Sequence, residues 1–157
     1  AIVNKKYGRI DAIVNSAAIL QKQSLVSMSY DDIRSGVGTN LVGSIIVAKE
    51  AYQYLSKTKG SLLFFTSSSY TRGRSLYSIY SSTKAAVVNL VQALSEEFYS
   101  VGIKVNCICP ERTKTPMRVK NFGIEDPKTL LQASDVAEIA HEVLFSSLNG
   151  EVVNVHL

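Results

Sequence analysis

Two residue types that can exchange a proton lie four positions apart in the stretch S-L-Y-S-I-Y-S-S-T-K-A-A, at residues 75–86. Tyr80 and Lys84 would share one face of a helix at this spacing. A phenol has an unperturbed pKa of about 10, which a neighbouring ammonium and a helix N-terminus both lower. A tyrosine tuned in this way can give a proton to a carbonyl oxygen or take one from an alcohol. The pair alone is too common by chance to establish this chemistry.

Alternating apolar runs and helical patterns predict the framework that would hold this pair. Buried strands are predicted at residues 10–15, 62–66, 103–109 and 151–155. Helices are predicted at residues 29–56, at 77–101 and after a cap at Ser134. We expect an interruption of the first helix near Gly36 and Gly38, and a loop with a short helix over 110–132. This order predicts an α/β fold with one parallel sheet, flanking helices and a single domain over residues 1–157.

Ligands of open parallel sheets bind outside the carboxyl ends of the strands. This rule brings the start of helix 77–101 together with three segments that follow strands, at residues 15–18, 67–69 and 110–117. Tyr80 and Lys84 would point from the helix into this crevice. Ser67 could donate a hydrogen bond to the same substrate oxygen as negative charge develops on it.

The composition excludes several classes of protein. The 157 residues are 46% apolar and 19% charged, with a mean hydropathy of +0.10, as in a folded globular domain. No apolar run approaches the ~20 residues of a membrane span, so we expect no membrane partner. The net charge of +4 comes from scattered Lys and Arg residues without interleaved aromatic residues, so we expect no nucleic-acid partner.

Candidate metal ligands and nucleophiles lack the spacing that their chemistry requires. No group of His, Cys, Asp and Glu has metal-ligand spacing, so we expect no metal. The serines at 67–69 are not part of the G-x-S-x-G elbow of a hydrolase. Cys107 and Cys109 lie on the same side of one predicted strand, where a disulfide between them is geometrically poor. We expect reduced thiols and a cytoplasmic protein.

Taken in order, the motifs of the whole chain resemble those of the short-chain dehydrogenase/reductase family. The family motif N-N-A-G appears as N-S-A-A at residues 15–18, and its N-L-x-G helix appears as N-L-V-G at 40–43. The family serine, thirteen residues before the tyrosine, corresponds to Ser67, and Y-x-x-x-K corresponds to Tyr80 and Lys84. The stretch after the next strand and the last strand match at Asn106, Pro110, Thr115, Met117 and residues 150–155.

The resemblance implies a Rossmann-like fold and hydride transfer to a small-molecule substrate with NADP, or alternatively NAD. Tyr80 would be the general acid/base, Lys84 would lower its pKa and bind the nicotinamide ribose, and Ser67 would orient the carbonyl. Asn40 would hold a water that relays protons to Lys84. Cofactor contacts are implied for Asn15, Ala17, Ala18, Tyr80, Lys84, Pro110, Thr113 and Thr115.

One family motif is missing from the sequence. The Gly-rich turn T-G-x-x-x-G-x-G, which holds the cofactor pyrophosphate at a helix N-terminus, has no counterpart, and G-V-G-T-N-L-V-G at 36–43 has the wrong spacing. The first strand would be the fourth of the family, so we expect a partial domain without the N-terminal β-α-β half. This half would comprise about 70–80 residues. Without it the first strand would have an unpaired edge, and the chain alone should bind dinucleotide poorly.

Basic side chains around the expected crevice suit a phosphorylated substrate, because Arg binds phosphate with two parallel hydrogen bonds. They are Arg72, Arg74, Arg112, Lys114 and Arg118. The stretch P-E-R-T-K-T-P-M-R with N-F-G-I-E-D-P resembles the reductase half of bacterial bifunctional ribitol-5-phosphate cytidylyltransferases. That resemblance implies reduction of ribulose 5-phosphate with NADPH. Reduction of another carbonyl, such as a 3-oxoacyl thioester, and an inactive fragment with a role in assembly remain alternatives. Tyr77 could line the pocket or simply pack.

The predicted helices 38–56 and 77–101 carry more apolar residues than one narrow stripe requires. In the resembling family the matching helices pair across a two-fold axis. We therefore expect a homodimer or a tetramer, and Val91 is a candidate interface residue.

Overall fold

The predicted parallel sheet is present in the computed structural model, which describes residues 2–157. Its four strands are β1 (Ala12–Asn15), β2 (Ser61–Phe65), β3 (Lys104–Pro110) and β4 (Val152–Val155). They lie side by side in the order β1-β2-β3-β4, and every neighbouring pair is parallel. Ile13 pairs with Leu62, and Leu62 with Val105 in turn. β1 pairs only with β2, so the predicted unpaired edge is confirmed among the described residues.

The helices begin with α1 (Ile2–Tyr7), which the sequence pattern did not predict. They continue with α2 (Tyr30–Val37), α3 (Gly43–Thr58), α4 (Ser78–Glu97), α5 (Pro116–Phe122) and α6 (Ala133–Phe145). Short 3-10 turns lie at Leu25–Ser27, Ser68–Tyr70, Tyr99–Val101 and Pro127–Thr129.

The sheet is covered on both faces, which explains why its central strands are continuous apolar runs rather than alternating ones. Successive side chains of β2 point to opposite faces, so Leu62 and Phe64 join one core cluster and Leu63 joins the other. The first cluster is completed by α3 and α4, and the second by α6. Burial of each large aliphatic side chain contributes about 2 kcal/mol. Cys107 and Cys109 are free and buried in β3, as predicted.

The predicted interruption of the first long helix is confirmed. α2 is capped by Ser29, whose Oγ accepts a hydrogen bond from Asp32 N at 3.0 Å. A π-helical segment, Gly38–Val42, then separates α2 from α3. Gly36 permits α2 to lie close to α4, because a Cβ at this position would be 2.9 Å from Ile79 Cγ2. The extra residue in the π turn re-aims the side chain of Asn40 into the interior.

The prediction that Val91 lies at an assembly interface is wrong. Val91 is 0% exposed and is packed against the sheet, because α4 is a central helix whose apolar side faces the core. α3 instead carries exposed apolar side chains of its own, with Ile45 44% and Ile46 55% exposed. Val42 and Tyr52 extend this apolar surface.

The predicted cap at Ser134 is also wrong. Gln132 is the N-cap of α6, and its backbone N–H donates to Asp135 Oδ2 at 2.9 Å in a reciprocal capping box. The Ser134 hydroxyl donates to Asp135 Oδ1 instead. The chain turns into β4 at Gly150, which has a positive φ of 81°.

Candidate active site

A cleft of about 680 Å³ opens at the carboxyl ends of β1, β2 and β3, where ligands of parallel sheets are expected. Its floor is formed by the start of α4, and one wall by α5. The predicted residues that line it are Ala18, Ser67, Arg74, Tyr80, Lys84, Pro110, Arg112, Thr113, Thr115 and Arg118. The predicted residues Asn15, Ala17, Asn40, Arg72 and Lys114 are not part of its lining.

Tyr80 lies in the first turn of α4 and faces Ser67 across the cleft floor. Burial raises the pKa of its phenol, and a hydrogen bond with Ser67 is the largest effect in the opposite direction. The predicted lowering of the Tyr80 pKa by Lys84 is therefore not found, because desolvation dominates. At neutral pH Tyr80 is a protonated phenol, which suits a proton donor.

Lys84 is one helical turn beyond Tyr80 and only 4% exposed. Its Nζ lies 5.6 Å from the centroid of the Tyr80 ring and donates to Phe65 O at 2.8 Å. Burial lowers the pKa of Lys84 to about 8. An ammonium has three donors, and Phe65 O is the hydrogen-bond acceptor found for it within residues 2–157. The remaining donors are available for hydroxyl groups of a ligand in the cleft.

Ser67 directly follows β2 and caps the 3-10 turn Ser68–Tyr70. Its Oγ accepts from Ser69 N at 3.3 Å and lies 3.2 Å from Ser69 Oγ. Ser69 is 2% exposed, and the sequence analysis assigned no role to it. These contacts hold Ser67 in the position from which it reaches Tyr80.

Asn40 lies behind the cleft, and its side chain is 1% exposed. Its Nδ2 donates to Ile19 O at 3.0 Å and to Thr83 Oγ1 at 3.2 Å, while its Oδ1 accepts from Ile19 N at 2.8 Å. Thr83 Oγ1 in turn donates to Tyr80 O at 2.9 Å. Asn40 thus ties the segment after β1 to the helix that carries Tyr80. The water relay stays a prediction.

In the segments predicted to contact a cofactor, several polar groups form hydrogen bonds to other groups of the protein. Asn15 Nδ2 donates to Ser44 Oγ at 3.1 Å, and its Oδ1 accepts from Ala17 N at 3.3 Å. These contacts turn the chain so that Ala18 faces the cleft. Thr115 caps α5 by accepting from Arg118 N at 3.2 Å, and Thr113 donates to Glu111 O at 3.0 Å.

The predicted phosphate-binding residues do not form a single cluster. Arg74, Arg112 and Arg118 line the cleft. Arg118 makes two hydrogen bonds with Glu125, at 2.6 and 2.8 Å, and its Cζ lies 4.3 Å from the Phe122 ring centroid. The carboxylate compensates the charge of Arg118, so a phosphate would have to compete with it.

Two aromatic residues of the cleft were missed or left undecided by the sequence analysis. Tyr77 lines the cleft and also packs, with its ring edge-to-face against Tyr80 at 6.3 Å and against Phe122 at 5.8 Å. Its position three residues before Tyr80 was the sequence signal that could have placed it in the cleft. Phe122 had no sequence signal, because its location depends on how residues 110–132 fold.

None of the helices within residues 2–157 is long and apolar enough to cross a membrane. In the same residues, the His, Cys, Asp and Glu side chains form no group of three or more that could hold a metal ion.

The sequence matches a family profile described as enoyl-(acyl carrier protein) reductase over residues 1–145. It is 54% identical over 157 residues to a bifunctional ribulose 5-phosphate reductase/CDP-ribitol pyrophosphorylase of Haemophilus influenzae, covering 100% of this chain and 33% of the relative. It is 35% identical to a meso-2,3-butanediol dehydrogenase of Serratia marcescens, over 73% of this chain and 46% of that one. The chain therefore spans between a third and a half of these relatives.

The fold is similar to that of the solved structure of ElxO with bound NADP. The TM-score is 0.87 at 25% sequence identity, and the match covers 98% of this chain and 68% of the other.

Proposed function

Since the chain belongs to the short-chain dehydrogenase/reductase family, we propose that it is the catalytic part of an NADPH-dependent reductase of a phosphorylated ketose, converting ribulose 5-phosphate to ribitol 5-phosphate. The observation that carries this proposal is that Tyr80, Ser67 and Lys84 line one cleft together with arginines at its mouth. The 54% identity to a relative named as a ribulose 5-phosphate reductase supports the choice of substrate.

In this proposal the side chains at the floor of the cleft bind and protonate the carbonyl oxygen of the substrate. Ser67 donates a hydrogen bond to it, and Tyr80 donates the proton that turns it into a hydroxyl group. The cofactor, when bound, supplies the hydride that the carbonyl carbon receives.

The residues present fit the nicotinamide end of NADP. Lys84 has donors to spare for the ribose hydroxyls, and Ala18, Thr113 and Thr115 line the same cleft. The residues described here do not include a Gly-rich turn for the pyrophosphate. We therefore propose that the 157 residues by themselves bind NADPH weakly, and activity should be measured on the full-length gene product.

The experiment that tests the proposal follows NADPH consumption by the full-length gene product with three substrates: ribulose 5-phosphate, ribulose and a 3-oxoacyl thioester. We expect kcat/KM for ribulose 5-phosphate to exceed that for ribulose by about 100-fold, because one phosphate recognised by arginine contributes several charge-assisted hydrogen bonds. A higher kcat/KM for the thioester would contradict the proposal. It would favour the second candidate, a reductase of 3-oxoacyl thioesters, which the 30% identity to a human 3-oxoacyl-[acyl-carrier-protein] reductase supports.

We also propose that the protein is a homodimer, or a tetramer built from it, whose contact lies on α3. The exposed side chains of Val42, Ile45, Ile46 and Tyr52 support this surface, and an apolar groove of about 340 Å³ between α3 and α4 adjoins it. The two buried free thiols support a reducing compartment such as the cytoplasm.

A further inference from the structure

The basic residues around the cleft differ in how far their charge is already compensated. Arg118 is held by Glu125 and by the face of Phe122, and its side chain is only 20% exposed. Arg112 is exposed, and its guanidinium contributes to lowering the pKa values of both Glu111 and Glu125. Arg74, the third arginine of the cleft lining, forms no ion pair with a described residue. It also does not contribute to lowering the pKa of any described carboxylate. A phosphate therefore meets the least competition at Arg74.

Arg74 and Tyr77 are brought together by the backbone of the loop that precedes α4. Tyr77 N donates to Arg74 O at 3.1 Å and closes a turn between the two residues. The next contact anchors this loop to the segment after β1, because Gln23 N donates to Leu76 O at 3.0 Å. Leu76 adopts a positive φ of 66°, a backbone conformation that is costly for a branched residue. The surrounding contacts thus hold the turn in one shape.

The Tyr77 side chain adds a hydroxyl donor to the lining of the same cleft. Burial raises the pKa of Tyr77, and the guanidinium groups of Arg118 and Arg74 act in the opposite direction. Tyr77 is accordingly a protonated phenol at neutral pH, with two cations near it. Its ring is fixed by edge-to-face contacts with Tyr80 and Phe122, so the hydroxyl has a defined direction.

We infer that Arg74 and Tyr77 hold the substrate phosphate, while Glu125 keeps Arg118 against Phe122 as a wall of the cleft. This inference rests on the proposed function and names the part of the site that selects its substrate. It assigns Arg74 and Tyr77 as specificity residues, and Glu125 as a positioning residue that acts through Arg118.

The test compares kcat/KM for ribulose 5-phosphate with kcat/KM for ribulose in variants of the full-length gene product. We expect Arg74→Ala to lower this ratio by about 10–100-fold, and Tyr77→Phe to lower it by about 3–10-fold, through KM and with kcat retained. The matched control is Arg72→Ala, which removes an exposed arginine of the same loop outside the cleft lining. We expect it to change the ratio by less than about twofold.

Variants of Arg118 and Glu125 test whether Arg118 forms a wall of the cleft or binds the phosphate of the substrate. We expect Arg118→Gln to lower activity towards both substrates and leave their ratio unchanged, and Glu125→Gln to leave the ratio unchanged or raise it. If ribulose is reduced too slowly to measure, KM for ribulose 5-phosphate in Arg74→Ala must rise at least tenfold with kcat within about threefold.

The experiments distinguish a failure of this inference from a failure of the proposed function. If the unmodified protein does not reduce ribulose 5-phosphate, the proposed function fails and this inference fails with it. If it does, and Arg74→Ala keeps the ratio within about twofold, the assignment of Arg74 is overturned while the proposed function stands. A fall of the ratio in Arg118→Gln or Arg72→Ala equal to that in Arg74→Ala would also overturn it.

Discussion

At the floor of the cleft Lys84 is 4% exposed, and Asn40, which lies behind this floor, is 1% exposed, whereas Arg74 and Arg112 at the mouth are exposed. Lys84 and Asn40 are held by hydrogen bonds to the backbone of Phe65, the last residue of β2, and of Ile19, in the segment that follows β1. Arg74 and Arg112, at the mouth of the cleft, lie on loops. Under the proposed function, the chemistry is therefore assigned to side chains held by the core of the fold, and substrate choice to surface positions that can change without unfolding the protein.

The largest expected effect is that of Tyr80→Phe, which removes the transferable proton from the floor and keeps the ring. In the full-length gene product kcat should fall by about 10²–10⁴-fold for every substrate, while NADPH affinity changes little. Steady-state kinetics and a fluorescence titration of NADPH check the two parts. Near-full activity in this variant would end the proposed role of Tyr80.

The next effect concerns stability. Asn40→Ala leaves both backbone groups of Ile19 without their partner, so the free energy of unfolding should fall by about 1–3 kcal/mol. The control is Asn89→Ala on the exposed side of α4, which should change it by no more than about 0.5 kcal/mol. Urea unfolding measures both. Equal effects of the two substitutions would mean that the floor is no more tightly built than the surface.

The buried charge of Lys84 predicts a dependence on pH. Its pKa is about 8 in the folded protein, against an ordinary value of 10.5. Below the folded value the charge is buried at a cost, and between the two values the unfolded chain binds more protons, so stability rises with pH in this window. The stabilisation gained by Lys84→Met should therefore shrink between about pH 8 and pH 10.5. A constant difference in unfolding free energy over this range would show that Lys84 is not desolvated.

The smallest effect on catalysis is expected for a substitution on α3, which lies away from both the floor and the mouth of the cleft. Ile46→Asp adds a charge to the exposed apolar surface and should dissociate the proposed dimer. Val26→Asp is the control, since Val26 is 97% exposed in another part of the chain. Light scattering gives the masses. An unmodified protein that is monomeric at micromolar concentration, or equal masses for both variants, would refute this surface.

The residues of the floor were predictable from sequence because their spacing is tied to the elements that carry them. Tyr80 and Lys84 share a helix face by periodicity, and Ser67 follows a strand recognisable from its apolar run. The reversed pKa shift of Tyr80 was not predictable, since it depends on burial by neighbouring elements. The pairing of Arg118 with Glu125 and the packing of Val91 likewise depend on tertiary contacts that local patterns do not encode.

The central claim is that the cleft directs a hydride to the carbonyl of a phosphorylated ketose. It is tested most directly with NADPH carrying deuterium at the transferable position of its nicotinamide, ribulose 5-phosphate and the full-length gene product, followed by mass spectrometry of the sugar phosphate. The account predicts ribitol 5-phosphate that contains one deuterium bound to carbon, and almost none of this product with Tyr80→Phe. Unlabelled ribulose 5-phosphate recovered unchanged, while a 3-oxoacyl thioester takes up the label, would contradict it.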